Sequence, residues 1–349
     1  MSNEERPRIV ISDTKLTSLA TEREVLGDDV ELIHRTLRSV EEVIETDPAA
    51  IVADAGTPLP AAVFEGCSTL RVVVRAGIGV DTIDVAAAEA NGVAVSNVPD
   101  YCIDEVSTHA LGLLTSLLRG IPAASANVAG GGWDWQAGAP LYRPADLTLG
   151  VVGFGRIGRE TVRKTTPLFD RVLVADPYVD DATIREGGGE PASLEEMLAG
   201  SDALSLHVPL TAETDGLLDA DAFETIREGR ERVAETTAAD GAAETTAAEA
   251  PDGVILVNTA RGEVVEVDPL VSALEDGTVR AAGLDVLPEE PPPNDRLTDR
   301  EDVVVTPHVA WYSEASKREV RRKAAEEVTR VLDGETRRYA VGPGTTGAE

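Results

Sequence analysis

The 349-residue chain is strongly acidic, with 63 Asp and Glu residues against 31 Lys and Arg residues and a formal net charge of −32. Such a charge repels nucleic acid, and no apolar run approaches the roughly 20 residues that a membrane helix needs. The length allows two domains. Cys67 and Cys102 are too few for a disulfide framework and show no metal-ligand spacing. The cysteine spacing therefore gives no reason to expect a metal site. The first residues lack a signal-peptide pattern, so we expect a cytoplasmic protein.

Lysine is rare in this sequence. It stands only at positions 15, 164, 317 and 323, and the other 27 basic residues are arginines. A large net charge strains a compact fold by self-repulsion unless salt screens it. An ordinary acidic protein and a protein adapted to molar salt both fit the acidity, but the lysine depletion favours the second. We therefore predict a halophilic protein.

Strand-like apolar runs alternate with helical segments along the whole chain. The first series of predicted strands lies at 8–12, 50–55, 71–77 and 93–98, and the second at 147–153, 171–176, 203–208, 253–258, 279–286 and 302–308. Most runs are continuously apolar, which is typical of parallel strands buried on both faces. The pattern predicts two α/β domains.

Two helices flank the second series of strands. The first, 104–121, has apolar residues at helical spacing, with Asp104 as its expected N-cap and His109 beside the apolar stripe as a structural residue. The second runs from about 314 to 332 and ends at Gly334. We predict a substrate domain of residues 1–98, a nucleotide domain of 99–310, and a C-terminal segment, 311–349, whose helix returns to the first domain.

A glycine-rich turn follows the first strand of the second series. Gly153, Gly155 and Gly158 form G-x-G-x-x-G between a strand and a helix, and Asp176 closes the next strand. In this context the glycines allow a tight turn, close approach of a pyrophosphate and close packing of helix on strand. A carboxylate at Asp176 can accept hydrogen bonds from ribose hydroxyls and repels a 2′-phosphate, so NAD is predicted rather than NADP.

Chemically useful side chains follow three later strands. Arg261 comes just after the run 253–258, Asp285 ends the run 279–286, and His308 follows the last run, with Glu289 and Glu290 before a proline run. Carboxyl ends of parallel strands share one edge of the sheet. An arginine binds carboxylates, and a histidine beside a carboxylate carries protons. With a nicotinamide nearby, this set suits reduction of a 2-oxo acid or oxidation of a 2-hydroxy acid.

The chain resembles the D-isomer-specific 2-hydroxyacid dehydrogenase family from about residue 70 to 335. The matching stretches, in order, are "VVRAGIGVDTID", "VPDYCIDEVSTHALGLL", "LGVVGFGRIGRE", "ADPY", "HVPLTAETDGLL", "VNTARGEVV", "GLDVLPEEP" and "TPHVAWYSEAS". The last is most similar to the branch of phosphoglycerate-dehydrogenase-like enzymes and C-terminal-binding proteins. One departure is Thr82, where family members often carry Asn.

The resemblance implies a Rossmann NAD-binding domain inserted in a flavodoxin-like substrate domain, and a homodimer formed through the NAD-binding domain. It implies that Arg261 binds the substrate carboxylate, that Glu290 pairs with His308, with Glu289 as rival, and that His308 is the general acid/base. Substrate contacts are expected from Arg75, Ile78 and Gly79. The expected cofactor-lining residues are Gly153, Gly155, Arg156, Ile157, Gly158, Asp176, His207, Val208, Pro209, Thr211, Thr259, Ala260, Arg261, Asp285 and His308.

The predicted activity is hydride transfer between NAD(H) and a 2-hydroxy or 2-oxo acid, such as 3-phosphoglycerate, glyoxylate or hydroxypyruvate. The alternative is an NAD(H)-sensing protein that acts through protein partners, as C-terminal-binding proteins do. Because little sequence follows the last helix, we expect no regulatory extension of the kind found in long phosphoglycerate dehydrogenases.

A low-complexity insertion lies near residues 229–252. It contains "AETTAAD" and "AETTAAE" nine residues apart and holds one bulky apolar residue, Val233. Such a segment buries too little surface to offset its ordering entropy, so we expect a mobile loop with a turn or two of helix. Since it leads into the N-terminal end of the strand at 253–258, we expect it on the side of the domain away from the chemistry.

Overall fold

The computed structural model describes residues 6–13, 16–239, 251, 253–293 and 296–343. The chain divides into two compact units, which are described separately. The first comprises residues 1–102 and 312–349, and the second residues 103–311. Which unit holds substrate and which holds cofactor stays a prediction.

The first unit is built on a five-stranded parallel sheet. Its strand order is β2-β1-β3-β4-β5, the flavodoxin-like arrangement. The elements are β1 (Arg8–Ser12), α1 (Ala20–Leu26), β2 (Glu31–His34), α2 (Val40–Thr46), β3 (Ala50–Ala53), α3 (Ala61–Gly66), β4 (Val72–Arg75), α4 (Val85–Ala90) and β5 (Ala94–Ser96).

The second unit is built on a seven-stranded parallel sheet of order β12-β11-β10-β9-β6-β7-β8, a Rossmann arrangement with one extra strand. Its elements are α5 (Ile103–Leu118), α6 (Ile121–Ala129), β6 (Thr148–Val152), α7 (Arg156–Thr165), β7 (Arg171–Ala175), α8 (Asp181–Glu186), β8 (Glu190–Pro191), α9 (Leu194–Gly200), β9 (Ala203–Leu206), α10 (Ala220–Ala239), β10 (Val254–Asn258), α11 (Val267–Asp276), β11 (Val279–Leu284) and β12 (Val303–Val305). Short 3₁₀ helices cover Pro144–Asp146 and Gly262–Val264.

The last helix, α12 (Glu314–Leu332), belongs to the first unit. Arg321 on this helix forms a largely buried ion pair with Glu22 of α1, with 2.7 Å between Nε and Oε1. Beyond the helix, the amide of Val341 donates to the carbonyl of Val95, so the tail runs beside edge strand β5. The first unit is therefore assembled from both ends of the chain.

The strands are buried on both faces, as their continuous apolar runs predicted. Every residue of β3 and of β10 is buried, and two apolar clusters cover the two faces of the seven-stranded sheet. The predicted class, two doubly wound α/β sheets, is confirmed. Two short strands were not predicted: β2 is partly exposed and contains Glu31 and His34, and β8 has only two residues, one of them Pro191.

Two local predictions were wrong. The helix expected to start after Asp104 begins at Ile103, which places Asp104 in its first turn rather than at its cap. The low-complexity insertion was expected to begin near residue 229 as a mobile loop with a turn or two of helix, but α10 continues to Ala239. Gly229 packs so closely on α9 that an added Cβ would lie 2.2 Å from the carbonyl oxygen of Ala199. Arg230 is buried and ion-paired with Asp202 at 2.6 Å. Residues 240–250 and 252 lie outside the described residues.

Among the described residues, no helix combines the length and the apolar character that crossing a bilayer requires. Within the same ranges, no cluster of three His, Cys, Asp or Glu side chains is arranged to hold a metal ion.

Candidate active site

The glycine turn lies between β6 and α7 in the second unit. Gly153 adopts φ +91°, a left-handed conformation that glycine tolerates best, and an added Cβ would lie 2.6 Å from the carbonyl oxygen of His207. At Gly158 an added Cβ would lie 2.1 Å from the carbonyl oxygen of Gly153. These two glycines are required by the protein's own packing.

Gly155 differs from the other two glycines. It is the N-cap of α7, and an added Cβ would meet nothing within 4 Å. The place that a side chain on Gly155 would occupy is therefore open, at a helix N-terminus where Arg156 and Ile157 begin the helix. Unpaired N–H groups and the helix dipole favour an anion at such a position.

Asp176 follows β7 directly, and its side chain binds the backbone of the glycine turn. Its Oδ2 accepts a hydrogen bond from the amide of Phe154 at 2.7 Å, and its Oδ1 accepts from the amide of Tyr178 at 2.9 Å. A carboxylate has about four acceptor positions. Two remain, so the same side chain can also accept from ribose hydroxyls.

The residues after β9 and β10 lie at the same edge of the sheet. The amide of His207 continues the β6–β9 ladder, and its imidazole contacts the hydroxyl of Ser205 at 2.9 Å. Burial lowers the pKa of His207 to about 4, so the ring is neutral near pH 7 and unsuited to acid/base work. Val208 and Pro209 follow, and Thr211 binds Thr214 within the same loop.

Thr259 carries a signal of its own. Its hydroxyl is buried and has no hydrogen-bond partner among the described residues. Buried hydroxyls are nearly always satisfied by protein, water or ligand, so Thr259 offers a hydrogen-bonding group at the carboxyl end of a strand. It was among the residues expected to line the cofactor, with Ala260 next to it.

Arg261 is held in place by the turn that follows β10. The side chain of Asn258 accepts from the amide of Ala260 at 2.9 Å and donates to the carbonyl of Arg261 at 2.8 Å. Next to it, an added Cβ on Gly262 would lie 2.0 Å from the backbone of Leu287. Only glycine therefore lets the loop after β10 approach the loop that carries Glu290. Neither Asn258 nor Gly262 was recognised from the sequence as part of the site, although both stand in the "VNTARGEVV" stretch.

Glu290 and His308 form a direct pair. Oε2 of Glu290 lies 2.8 Å from Nδ1 of His308, and Oε1 accepts from the amide of Leu287 at 3.1 Å. Burial acts to raise the pKa of Glu290, but the hydrogen bond and charge of His308, the Leu287 amide and the charge of Arg261 together hold it below its ordinary value. The carboxylate is thus ionised at neutral pH. Glu289 and Glu290 are both exposed, and the contact with the ring in the described part of the chain is made by Glu290.

The turn that carries His308 is built around the buried carboxylate of Asp285. This carboxylate, 1% exposed, accepts from the hydroxyl of Thr306 at 2.6 Å and from the amides of Val309 and Ala310, both at 2.9 Å. His308 itself has φ +49°, a left-handed conformation that strains a residue with a Cβ. Asp285 was expected to line the cofactor, and the contacts recorded for it hold the histidine's turn.

The three expected substrate residues lie in the first unit, after or at the end of β4. Arg75 donates to the carbonyl of Ala76 at 2.8 Å. The carbonyl of Ile78 accepts from the side chain of Asn97 at 2.8 Å, and Gly79 is buried. Arg261, Glu290 and His308 all belong to the second unit.

Comparisons with a family model and with curated proteins point to the same enzyme family. A family model described as D-isomer specific 2-hydroxyacid dehydrogenase, NAD binding domain, matches residues 111–231 and 238–310, more than half of the chain. The break in the match falls inside the low-complexity segment. The chain is 32% identical over 329 residues to the D-3-phosphoglycerate dehydrogenase of Bacillus subtilis, covering 94% of this chain and 57% of that protein.

Two further proteins show the range of the similarity. The chain is 34% identical over 300 residues to the D-3-phosphoglycerate dehydrogenase of Methanocaldococcus jannaschii, covering 84% of this chain and 52% of that protein. It therefore spans about half the length of the curated relatives it matches. The solved apo structure of Rhodotorula graminis D-mandelate dehydrogenase covers 98% of this chain and 99% of that one, with a TM-score of 0.80 and 26% identity. The chain belongs to the D-isomer specific 2-hydroxyacid dehydrogenase family.

Proposed function

We propose that this chain is an NAD-dependent oxidoreductase that interconverts a D-2-hydroxy acid and the corresponding 2-oxo acid. The observation that carries the proposal is the 2.8 Å pair between Glu290 and His308, at the same sheet edge as the open glycine turn. In the strand order, β10 with Arg261 lies two strands from β6 with the glycine turn, about 10 Å at ordinary strand spacing. One extended dinucleotide can span that edge.

The residues fit NAD on two independent observations. Gly155 leaves a helix N-terminus open for a pyrophosphate, and the hydroxyl of Thr259 is buried without a partner among the described residues. Asp176, with acceptor positions to spare, suits the ribose hydroxyls and disfavours a 2′-phosphate. When bound, the cofactor supplies or accepts the hydride.

The chain's own residues would bind the acid and move the proton. The guanidinium of Arg261 would bind the substrate carboxylate and the carbonyl oxygen, where negative charge develops. Because Nδ1 of His308 is taken by Glu290, Nε2 is the atom that would give a proton to that oxygen in reduction and take it back in oxidation. Glu290 would stabilise the charged imidazole before the substrate binds.

We assign the second unit as the NAD-binding domain and the first as the substrate domain, with Arg75, Ile78 and Gly79 as its substrate contacts. The amides of Ile78 and Gly79 donate no hydrogen bond within the described part of the chain. Two neighbouring donors of this kind suit a carboxylate.

The substrate we propose is a small 2-oxo or 2-hydroxy acid, with 3-phosphoglycerate, glyoxylate and hydroxypyruvate as candidates. The test is steady-state turnover of a panel of these acids, together with bulkier 2-oxo acids, using NADH or NADPH in molar KCl. We expect turnover with NADH and at least one acid. No turnover with any member, combined with tight NADH binding, would favour a nicotinamide-sensing binding protein instead.

We also propose a homodimer formed through the second unit. Its exposed apolar side chains cluster in sequence on α6 and the following loop: Ile121 and Val128 are 53% and 52% exposed, and Trp133 and Trp135 are 91% and 86% exposed. Large exposed apolar patches mark interaction sites, and these four side chains are near one another along the chain. The test is the mass in solution of the wild type and of Trp133→Ser/Trp135→Ser, with a dimer expected for the first and a lower mass for the second. Equal masses for the two proteins would refute an interface at these tryptophans.

Finally, we propose a cytoplasm of high salt as the working environment. The lysines at positions 164 and 323 have side chains only 13% and 11% exposed, and each is ion-paired. These two lysines therefore stabilise the fold through ion pairs that are mostly buried on the lysine side. In the exposed ion pairs of the described residues, the positively charged partner is mostly arginine. This distribution fits a surface from which lysine has been removed.

A further inference from the structure

We propose that His109, on helix α5, is a positioning residue for His308 and acts through Thr306 and Asp285. The proposal rests on the function above in taking His308 as the proton carrier. His109 was expected from the sequence to be purely structural, beside the apolar stripe of its helix. The contacts of its ring place it in the hydrogen-bond network that holds the His308 turn.

Three side chains form a continuous hydrogen-bonded chain within the second unit. Nε2 of His109 lies 3.0 Å from the hydroxyl oxygen of Thr306, and that hydroxyl donates to Oδ1 of Asp285 at 2.6 Å. Oδ1 also lies 3.5 Å from Nε2 of His109. The side chains of His109 and Asp285 are 25% and 1% exposed, so the network is largely shielded from water.

The direction of each hydrogen bond follows from the number of protons. A threonine hydroxyl has a single proton, and here it is given to the carboxylate of Asp285, which accepts only. The contact between Thr306 and His109 must then use a proton on Nε2 of the histidine. His109 is therefore fixed with Nε2 protonated, and it holds the Thr306 hydroxyl in the rotamer that faces Asp285.

The other end of the network sets the backbone around His308. Asp285 accepts from the amides of Val309 and Ala310, and its carbonyl accepts from the amide of His308 at 2.8 Å. The left-handed conformation of His308 persists only while its surroundings enforce it. A Thr306 hydroxyl free to rotate would weaken one of the three bonds to this carboxylate, and the imidazole would be aligned less well with Glu290.

The test compares kcat and cofactor binding in five proteins: wild type, His109→Leu, His109→Gln, Thr306→Val and the control Thr108→Val. Leucine removes the donor, whereas the amide nitrogen of glutamine can replace it. We expect His109→Leu to lower kcat about tenfold, as loss of one buried hydrogen bond would, with the Kd for NADH within about twofold. His109→Gln should recover most of the loss. Thr108→Val, on the same helix but bonded to Lys164, is the matched control and should keep the wild-type kcat.

A double-mutant cycle supplies the second arm. If His109 acts through Thr306, adding His109→Leu to Thr306→Val should lower kcat no further. Additive losses would overturn the proposal, as would a wild-type kcat in His109→Leu. Equal losses in the leucine and glutamine variants, with a lowered melting temperature in both, would show a merely structural residue and would also overturn it.

A measurement without turnover separates this proposal from the proposed function. Long-range ¹H–¹⁵N spectra of the wild type report the tautomer of each ring, and four histidines can be assigned by single substitutions. We expect His109 with a proton on Nε2, and a change in the His308 signals in His109→Leu. A His109 protonated only on Nδ1 would overturn the positioning role, even in an active enzyme. If the protein turned over none of the acids, the proposed function would be refuted, but the tautomer measured for His109 would not be affected.

Discussion

Oε2 of Glu290 lies 2.8 Å from Nδ1 of His308, and within the described part of the chain no hydrogen bond or ion pair joins the neighbouring Glu289 to that ring. The pair is reachable from solvent, with side chains 37% and 43% exposed. The loop places the second glutamate against the histidine because the amide of Leu287 holds its other oxygen. Which of two adjacent carboxylates meets the imidazole is thus decided by a backbone contact three residues away.

The first prediction concerns this pair. Glu290→Gln replaces the carboxylate that faces Nδ1 of His308 by a neutral amide, which does not attract positive charge on the ring. Reduction of the oxo acid needs a proton from His308, so the upper pH limit of kcat should move down, as measured by pH–rate profiles. Glu289→Gln is the matched control. A shift in the control but not in Glu290→Gln would reassign the partner. His308→Ala should lose roughly 10²–10⁴-fold in kcat and still bind NADH.

The second prediction uses the two different glycines of the turn. Gly158→Ala places a Cβ against the backbone of Gly153 and should lower the melting temperature clearly. Gly155→Ala meets nothing within 4 Å in the protein and has an ordinary φ of −68°, so its melting temperature should be unchanged. It should nevertheless bind NADH at least tenfold more weakly, since a methyl group would occupy the approach of the pyrophosphate. Unimpaired binding by Gly155→Ala, in fluorescence titrations, would place the phosphates elsewhere.

The third prediction concerns cofactor choice. Asp176→Ala should weaken NADH binding and narrow the preference for NADH over NADPH, because the carboxylate both accepts from hydroxyls and repels a 2′-phosphate. Asp181→Ala, at a 68% exposed side chain in the first turn of α8 that is paired with Arg185, is the control for removal of one negative charge five residues along the chain. Ratios of kcat/KM for the two cofactors provide the measurement. A wild type that uses both equally well contradicts the role given to Asp176.

The fourth prediction concerns salt. Raising KCl from about 0.1 M to about 3 M shortens the screening length from roughly 10 Å to below 3 Å. Repulsion among the excess carboxylates then falls, and the melting temperature and activity should both rise. Thermal unfolding at the two concentrations, with an equimolar NaCl series as control for the cation, checks this. Equal stability throughout would count against adaptation to salt.

The fifth prediction compares two changes: loss of the ion pair between Arg230 and Asp202, and deletion of the low-complexity segment. Arg230→Ala leaves the nearly buried Asp202 unpaired and should cost about 3–5 kcal/mol in the free energy of unfolding. Deleting residues 231–250 removes the end of α10, where Glu231 and Arg232 are exposed, and shortens the connection to β10. It should cost less than about 1 kcal/mol and leave each KM within about twofold, because connection length alone contributes only about 0.6 kcal/mol per doubling. Urea unfolding and steady-state kinetics report both. A deletion variant that folds but fails to bind NADH would mean that this segment reaches the cofactor edge.

Much of the architecture was readable from the residues alone. Continuous apolar runs such as the four residues before Asn258 in "VILVN" indicate strands buried on both faces, because a strand covered on both sides buries each successive residue. Gly153, Gly155, Gly158 and Asp176 stand within one strand-helix-strand unit, so their spacing specifies the turn locally. The same holds for α12, whose predicted range, 314–332, agrees with the structure.

Contacts between residues distant in the chain could not be read in this way. Glu31–His34 becomes a strand only because it pairs with β1, and α10 continues past residue 229 because Gly229 and Arg230 pack on Ala199 and Asp202. His109 meets Thr306 across 197 residues of sequence, and nothing local to the helix predicts that contact. Local propensity and periodicity therefore determined the elements and the cofactor turn, while only tertiary packing decided which carboxylate meets His308 and which polar groups hold its turn.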